Sequence, residues 1–228
     1  MGVRQLAKML GHLFIRLSEY GKVTNSLDLT GDRSVEWSWV AAHLPDRPGE
    51  VLDFGSGDAP LGLIAAMKGG SVTALDLQQI HSPYAMRRLR AEKGDILAFD
   101  FAGKQFDLII NCSSIEHVGL AGRYGNRDEP GGDLTAMGRL RQVLRIPGGM
   151  MLLTIPVGND LVVRPWHRVY GIRRLGLLLK GFRVVDKEFW SKRSGSNLWV
   201  QVSEEEAFSV RASESFYALG MFVLEADN

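Results

Sequence analysis

From residue 50 onward, short apolar runs alternate with segments of helical period. Glu50 to Phe54 predicts a buried strand that ends in Gly55-Ser56-Gly57. Pro60 to Lys68 predicts a helix, with proline in its first turn and Gly69-Gly70 as its stop. Ser71 to Leu75 predicts a second strand, ending at Asp76. Ser82-Pro83 reads as an N-cap and first-turn proline opening a helix to about Ala91, and Asp95 to Phe99 as a third strand or its edge. Phe106 to Asn111 carries the apolar run Leu108-Ile109-Ile110 and predicts a central parallel strand buried on both faces. Asp133 is placed to cap a helix whose Leu134, Met137, Leu140 and Leu144 form one stripe, and Pro147-Gly148-Gly149 ends it. Met150 to Ile155 predicts the fifth strand and Tyr170 to Lys180 a further helix. Phe182 to Phe189 and Phe216 to Leu224 predict two last strands with no helix between them, so that one is free to run antiparallel at that edge. Strands separated by helices imply right-handed crossovers, hence an α/β fold with a doubly wound, mostly parallel sheet.

The first 33 residues have a different pattern. Leu6, Met9, Leu10, Leu13, Phe14 and Leu17 recur at helical spacing beside Arg4, Lys8 and Arg16. The stretch lacks a continuous apolar segment and a small-residue cleavage site, so it is not read as a signal peptide. It reads as an N-terminal helical cap over 1–33 docked on a domain over 34–228, or as a basic amphipathic helix at a membrane surface. Composition narrows the class. With 228 residues, 45% hydrophobic and 23% charged, the chain is expected to be globular, soluble and large enough to bury a core of its own. A net charge of +1 gives no reason to expect nucleic acid as a partner. The single cysteine, Cys112, excludes an internal disulfide and a cysteine-built zinc cage, and accords with a cytoplasmic location. Cys112 reads as a buried inert thiol rather than a nucleophile.

Candidate chemistry begins at Val51-Leu52-Asp53-Phe54-Gly55-Ser56-Gly57. Glycines at a strand-to-helix turn let a ligand approach the backbone, and a carboxylate at the end of the next strand, here Asp76, can accept from both hydroxyls of a ribose. The third glycine of a dinucleotide fingerprint is missing near Pro60, and Asp53 suits an amino-acid ammonium better than a pyrophosphate. The competing reading is an ordinary tight turn.

These residues resemble the class I S-adenosylmethionine-dependent methyltransferases over about 34–225. Leu52 to Gly57 resembles their first glycine motif, Ala74-Leu75-Asp76 their ribose-binding acid, and Gly94-Asp95-Ile96 their adenine-contacting segment. Phe106 to Asn111 resembles their fourth strand and Leu144 to Gly149 the Pro-Gly-Gly stretch before the fifth, with Arg145-Ile146 as a departure. The resemblance implies a seven-stranded Rossmann-like fold and S-adenosylmethionine as cofactor, leaving as S-adenosylhomocysteine. It would be held by Asp53, Gly55, Ser56, Gly57, Asp76, Leu77, Asp95, Ile96 and Asn111. A narrower resemblance rests on Ser113 to Gly119, Arg123-Tyr124-Gly125, Gly132-Asp133-Leu134, Pro156-Val157-Gly158 and His167 to Gly171. It is to a methyltransferase subfamily associated with bacterial surface-polysaccharide genes.

The acceptor side is expected after strands four and five. Asn111-Cys112-Ser113-Ser114 lacks the Asn/Asp-Pro-Pro-aromatic turn of enzymes that methylate nucleobase amines. His117 is the candidate acid-base residue, or else orients the loop; Tyr124, His167 and Tyr170 complete the candidate acceptor set. Glu116, His117, Asp133 and His167 match no metal-binding spacing, so no metal is expected, and histidines 12, 43 and 81 read as structural or surface residues. Leu161 to Arg183 carries Arg164, Arg168, Arg173, Arg174, Lys180 and Arg183 without an acid. That segment is a solvated helix face, or a seat for an anionic acceptor such as a phosphate-linked sugar, or a membrane contact. Trp166, Trp190 and Trp199 are expected to pack the core. The expected reaction is methyl transfer to an oxygen of a small molecule or glycan precursor. The alternatives are N-methylation of an amino sugar or other small amine, and a non-catalytic S-adenosylmethionine-binding partner subunit.

Overall fold

The computed structural model describes residues 31–57, 59–80, 86–122, 124–125, 127–193, 195–196 and 198–227. All but the last three residues of the expected cap lie outside the described residues, as do Ser82-Pro83 and Arg123. The described strands are β1 Glu50–Phe54, β2 Ser71–Asp76, β3 Leu89–Lys93, β4 Leu108–Cys112, β5 Met150–Val157, β6 Leu161–Val163, β7 His167–Val169, β8 Phe182–Lys192, β9 Trp199–Val202 and β10 Ala218–Ala226. The α-helices are α1 Arg33–His43, α2 Leu61–Met67, α3 Gly132–Val143, α4 Ile172–Leu178 and α5 Glu204–Ser209. Eight strands form one sheet in the order β3-β2-β1-β4-β5-β10-β8-β9. β3, β2, β1, β4 and β5 run parallel, while β10 is antiparallel to both of its neighbours and β9 is antiparallel to β8. β6 and β7 make a separate hairpin.

The central strands are mostly apolar because successive residues feed opposite faces of the sheet and both faces are covered. Leu52, Ile109, Met151 and Leu153 join one core with Ala136, Met137 and Leu140 of α3, Leu175 of α4 and Ala207 of α5. Val51, Leu108, Ile110 and Leu152 join the other, with Trp39 and Val40 of α1 and Leu61 and Ala65 of α2. The same alternation sets the direction of the polar residues near the strand ends. Asp53 faces α2, Asn111 faces α3, and Thr154 faces α1.

Several expectations are corrected. The helix expected to about Ala91 is absent from residues 86–91, and Leu89–Lys93 pairs with β2 as the edge strand. Asp95 to Phe99 is a turn, not a strand. The Asp95 carboxylate accepts the Leu97 N–H at 2.9 Å and its carbonyl those of Ala98 and Phe99, which diverts the backbone from any ladder. The sheet has eight strands where seven were expected, because β9 extends the antiparallel edge. A helix does precede β10: Ser203 and Glu206 form a reciprocal capping box that opens α5. Asp133 is not an N-cap; Gly131 holds that place, and the Asp133 side chain turns inward. Trp199 is buried as expected, but Trp166 is 38% exposed.

Candidate active site

The sheet order reverses between β1 and β4, and the glycine turn sits at the carboxyl end of β1 beside that switch point. Gly55 has φ 68°, and a Cβ there would stand 2.1 Å from the Ser114 hydroxyl. Glycine is therefore required for the turn after β1 and the loop after β4 to touch. Gly57 has φ 47°, and its N–H donates to Asp76 Oδ2 at 2.9 Å. The Gln78 N–H donates to the other oxygen of Asp76 at 2.8 Å. Asp76 is thus held at the mouth of the glycine turn, half-buried, as the sequence predicts. Leu77 follows it, also half-buried.

Asp53 is 2% exposed and accepts the Gly62 N–H at 2.9 Å and a bond from the Ser56 side chain. Burial raises its pKa to about 6, and the Asp76 charge acts in the same direction. A cation beside it would remove that penalty. Asn111 is wholly buried; its amide nitrogen faces Met137 Sδ at 3.8 Å, while its Oδ1 has no hydrogen-bond partner among the described residues. Across the β2 edge, Ile96 is buried and Asp95 stands at the start of its turn.

The side expected to take the acceptor begins where β4 ends. Ser113 adopts φ 46°, and the chain then makes a single 3₁₀ turn, Ile115–His117. His117 Nδ1 lies 2.5 Å from the Trp166 carbonyl. A carbonyl can only accept, so this nitrogen carries the proton and Nε2 is the basic one. Nε2 lies 3.7 Å from Glu116 Oε1, and the ring packs edge-on against Tyr124 with centroids 4.9 Å apart. The Tyr124 carbonyl in turn accepts from the Gln78 side chain at 2.8 Å, which ties this group to the loop carrying Asp76. His167 is 8% exposed and packs edge-on against Tyr217, whose hydroxyl donates to Asp32 at 2.7 Å. His117, Tyr124 and His167 are therefore gathered at the carboxyl ends of the strands. Tyr170 is not among them: fully buried in the core, it donates to Asp133 at 3.1 Å.

The structure brings together two groups of residues that the sequence does not mark as partners. Glu36 of α1, 2% exposed, accepts from Thr154 at 2.7 Å and from the Ser113 hydroxyl. Ser113 also hydrogen-bonds Glu116, likewise 2% exposed. Burial raises both carboxyl groups, Glu36 to about 7. Burial and the neighbouring Glu36 also push the Cys112 thiol up, in keeping with an inert cysteine. The second group surrounds Arg168, 1% exposed, which donates to the carbonyls of Val118 at 2.6 Å, Glu116 at 3.2 Å and Pro130 at 3.3 Å. Its Nε lies 3.7 Å from Asp133, which Arg174 grips through both carboxylate oxygens at 2.6 and 3.0 Å. Arg164 pairs with Asp128 and Arg183 with Glu225. These pairings account for four of the six basic residues of the 161–183 segment without an anionic acceptor. Asp133 is likewise spent on arginine and does not join Glu116, His117 and His167.

Residues 59–215, more than half of the chain, match the family model described as Caenorhabditis protein of unknown function, DUF268. The chain belongs to the DUF268 family. The matched region of this DUF268 protein takes in Asp76, Asp95, His117 and His167, and starts after Asp53 and the two glycines of the turn. No curated protein matches the chain. Among solved structures it is similar to the Burkholderia thailandensis 1,6-didemethyltoxoflavin-N1-methyltransferase, crystallised with 1,6-didemethyltoxoflavin and S-adenosylhomocysteine. The TM-score is 0.58 at 19% identity, over 100% of this chain and 92% of that one. The N-methyltransferase NodS of Bradyrhizobium japonicum aligns with TM-score 0.53 at 14% identity, over 86% of this chain and 99% of that one. The 4+2 cyclase SpnF aligns with TM-score 0.58 at 16% identity, over 83% of this chain and 79% of that one. At such identities the likeness establishes the fold, which is the Rossmann-like fold of class I methyltransferases. A cyclase with the same fold shows why the chemistry must be argued from the site.

Proposed function

We propose that this DUF268 protein binds S-adenosylmethionine and transfers its methyl group to a small-molecule or sugar acceptor. The observation that carries the reading is a juxtaposition. Asp76 is fixed on the N–H of Gly57, and the loop through Gln78 and Tyr124 leads directly to His117, whose Nε2 is basic. The residues fit the cofactor. Asp53, raised by burial, supplies an acceptor for an ammonium, and the orphaned Asn111 Oδ1 a separate acceptor on the opposite face of the sheet. Asp76 would take the ribose, while Asp95 and buried Ile96 would take the adenine. The neighbour from Burkholderia thailandensis was solved with S-adenosylhomocysteine, which supports the same ligand here.

When bound, the sulfonium supplies an electrophilic methyl: the acceptor's lone pair forms the new bond as the C–S pair returns to sulfur. The chain's own contribution is positioning and removal of a proton. His117 takes the proton on Nε2, and the Trp166 carbonyl holds the imidazole in the required tautomer. Tyr124 covers the imidazole. The sequence expectation names an oxygen of a small molecule or glycan first and an amine second; the acids beside His117 favour the amine, as argued below. A surface-polysaccharide role is suggested by sequence resemblance alone. No helix among the described residues is long and apolar enough to cross a membrane, and the N-terminal segment proposed for a membrane surface lies outside them.

S-Adenosylmethionine at a hundredfold excess over Kd is expected to raise Tm by about 5–10 °C, and NAD to leave it unchanged. A thermal-shift screen in which NAD stabilises more strongly would reverse the assignment. Asp76→Ala is expected to weaken S-adenosylhomocysteine binding by about 1.5–3 kcal/mol, as charge-assisted hydrogen bonds to the ribose are lost. Calorimetry checks this, and unchanged affinity would remove Asp76 from the site. Transfer of label from methyl-labelled cofactor separates an enzyme from a binding subunit.

A further inference from the structure

We propose that Glu36 and Glu116, bridged by Ser113 and backed by Thr154, form the seat of the methyl acceptor, and that this seat takes a primary amine. The inference rests on the cofactor reading above and adds to it the acceptor's chemical class. Three elements converge to build the seat: α1 brings Glu36, β5 brings Thr154, and the turn after β4 brings Ser113 and Glu116. It adjoins the glycine turn through consecutive residues. The Ser114 hydroxyl bonds the Gly55 carbonyl at 3.2 Å, and the Ser113 hydroxyl bonds Glu36.

Two carboxyl groups at 2% exposure, drawn toward one serine, are costly unless something donates to them. Arg33 offsets only a small part of the cost at Glu36, while Asp32 adds to it at both acids. Glu116 Oε2 has no hydrogen-bond partner among the described residues. A donor-rich cationic ligand answers this arrangement. A primary amine offers two N–H groups to two carboxylates and keeps its lone pair for the methyl. It arrives as an ammonium, which titrates at about 10 in simple alkyl amines, and a carboxylate whose proton affinity burial has raised, or an imidazole, can relieve it of one proton. An alcohol is far too weakly acidic for that.

The proton passes to Glu116 or on to His117 Nε2, 3.7 Å away. The nitrogen pair then forms the N–C bond, the C–S pair stays on sulfur, and a methylammonium and a neutral thioether result. The groups facing Glu36 are Asp32 and Arg33 at the start of its own helix, Cys112 at the end of β4 and Glu116 after it, and Tyr217 with His167 beside it.

The test has two arms. An acid held for a ligand burdens the empty protein. Glu36 has its folded pKa raised from 4.5 to about 7, so its stabilising share is lost as pH rises through 7, and at pH 8 its ionised form burdens the fold. Glu36→Gln should therefore raise Tm by about 2–4 °C at pH 8, with less gain at pH 5. It should leave S-adenosylhomocysteine affinity unchanged; Glu116→Gln provides the same reading from the other side of the seat. A fall in Tm at pH 8 for both variants would make the acids structural and overturn the proposal. In the second arm, wild-type protein is given methyl-labelled S-adenosylmethionine with glucosamine, ethanolamine and benzylamine, and with glucose, ethylene glycol and benzyl alcohol. Label in one or more amines and in no alcohol is expected, with KM for the amine raised at least tenfold in Glu36→Gln. Label in alcohols alone, or in none of the six while S-adenosylhomocysteine binds, overturns the amine seat and leaves the cofactor reading standing. Failure of S-adenosylhomocysteine to bind would sink the cofactor reading instead.

Discussion

His117→Ala is expected to lower turnover by roughly 10²–10⁴ while leaving S-adenosylhomocysteine affinity nearly unchanged. The imidazole is held at Nδ1 by a backbone carbonyl, so its other nitrogen is basic and faces the carboxyl group of Glu116 at 3.7 Å. Alanine removes this proton acceptor without touching Asp53, Asp76 or the glycine turn, so cofactor affinity serves as the internal control. A base and a loop orienter differ in what they leave behind. Loss of a base lowers kcat, shifts the acid limb of the pH profile and is partly restored by added imidazole. Loss of an orienter raises KM, lowers kcat only modestly and is not restored. Full turnover in His117→Ala would end the base assignment and move it to His167, the other imidazole gathered at these strand ends.

The parts of the fold legible in the sequence are those where local pattern and burial coincide. β1, β4 and β5 are flanked on both sides in the sheet and covered on both faces, so most of their positions are apolar and the runs stand out. β3 lies at an edge, has no fully buried position, and consists of Leu-Arg-Ala-Glu-Lys, a run with little strand character. It was hidden behind the helical start signal of Ser82-Pro83. The capping box of α5 lies in the sequence, but the segment around it holds no apolar stripe to mark a helix. The site divides in the same way. Asp53, Gly55, Gly57 and Asp76 lie on two adjacent strands and their turns, where strand-end position alone predicts that they meet. Glu36 and Thr154 are 118 residues apart in sequence, and nothing local to either marks it as a partner of the other. Tyr170 misled for the opposite reason: its place near a strand end suggested an open site, but Asp133 and the core claim it.

Arg168→Ala is expected to destabilise the protein by about 3–5 kcal/mol, read as the midpoint of denaturant unfolding with unchanged m. The guanidinium is 1% exposed and is the donor for the carbonyls of Glu116, Val118 and Pro130, in addition to lying 3.7 Å from Asp133. Burial lowers its pKa, the Asp133 charge opposes that shift, and the net effect is downward. Asp133 keeps Arg174 in the variant, so the larger part of the loss comes from carbonyls left without their donor and from the void. Lysine keeps the charge but cannot fork to several acceptors, so Arg168→Lys should fall between the two. A functional loss should accompany the structural one. Arg168 grips the backbone on both sides of His117, so loosening it frees Glu116 and the imidazole together. Acceptor KM should rise and kcat fall in Arg168→Lys under conditions where it is fully folded, with S-adenosylhomocysteine binding retained because Asp76 and the glycine turn belong to other strands. If Arg168→Lys kept wild-type stability and kinetics, the buried fork would be surplus to both the fold and the acceptor loop. The 116–118 segment would then have to be held by the packing of Ile115 and Val118 alone.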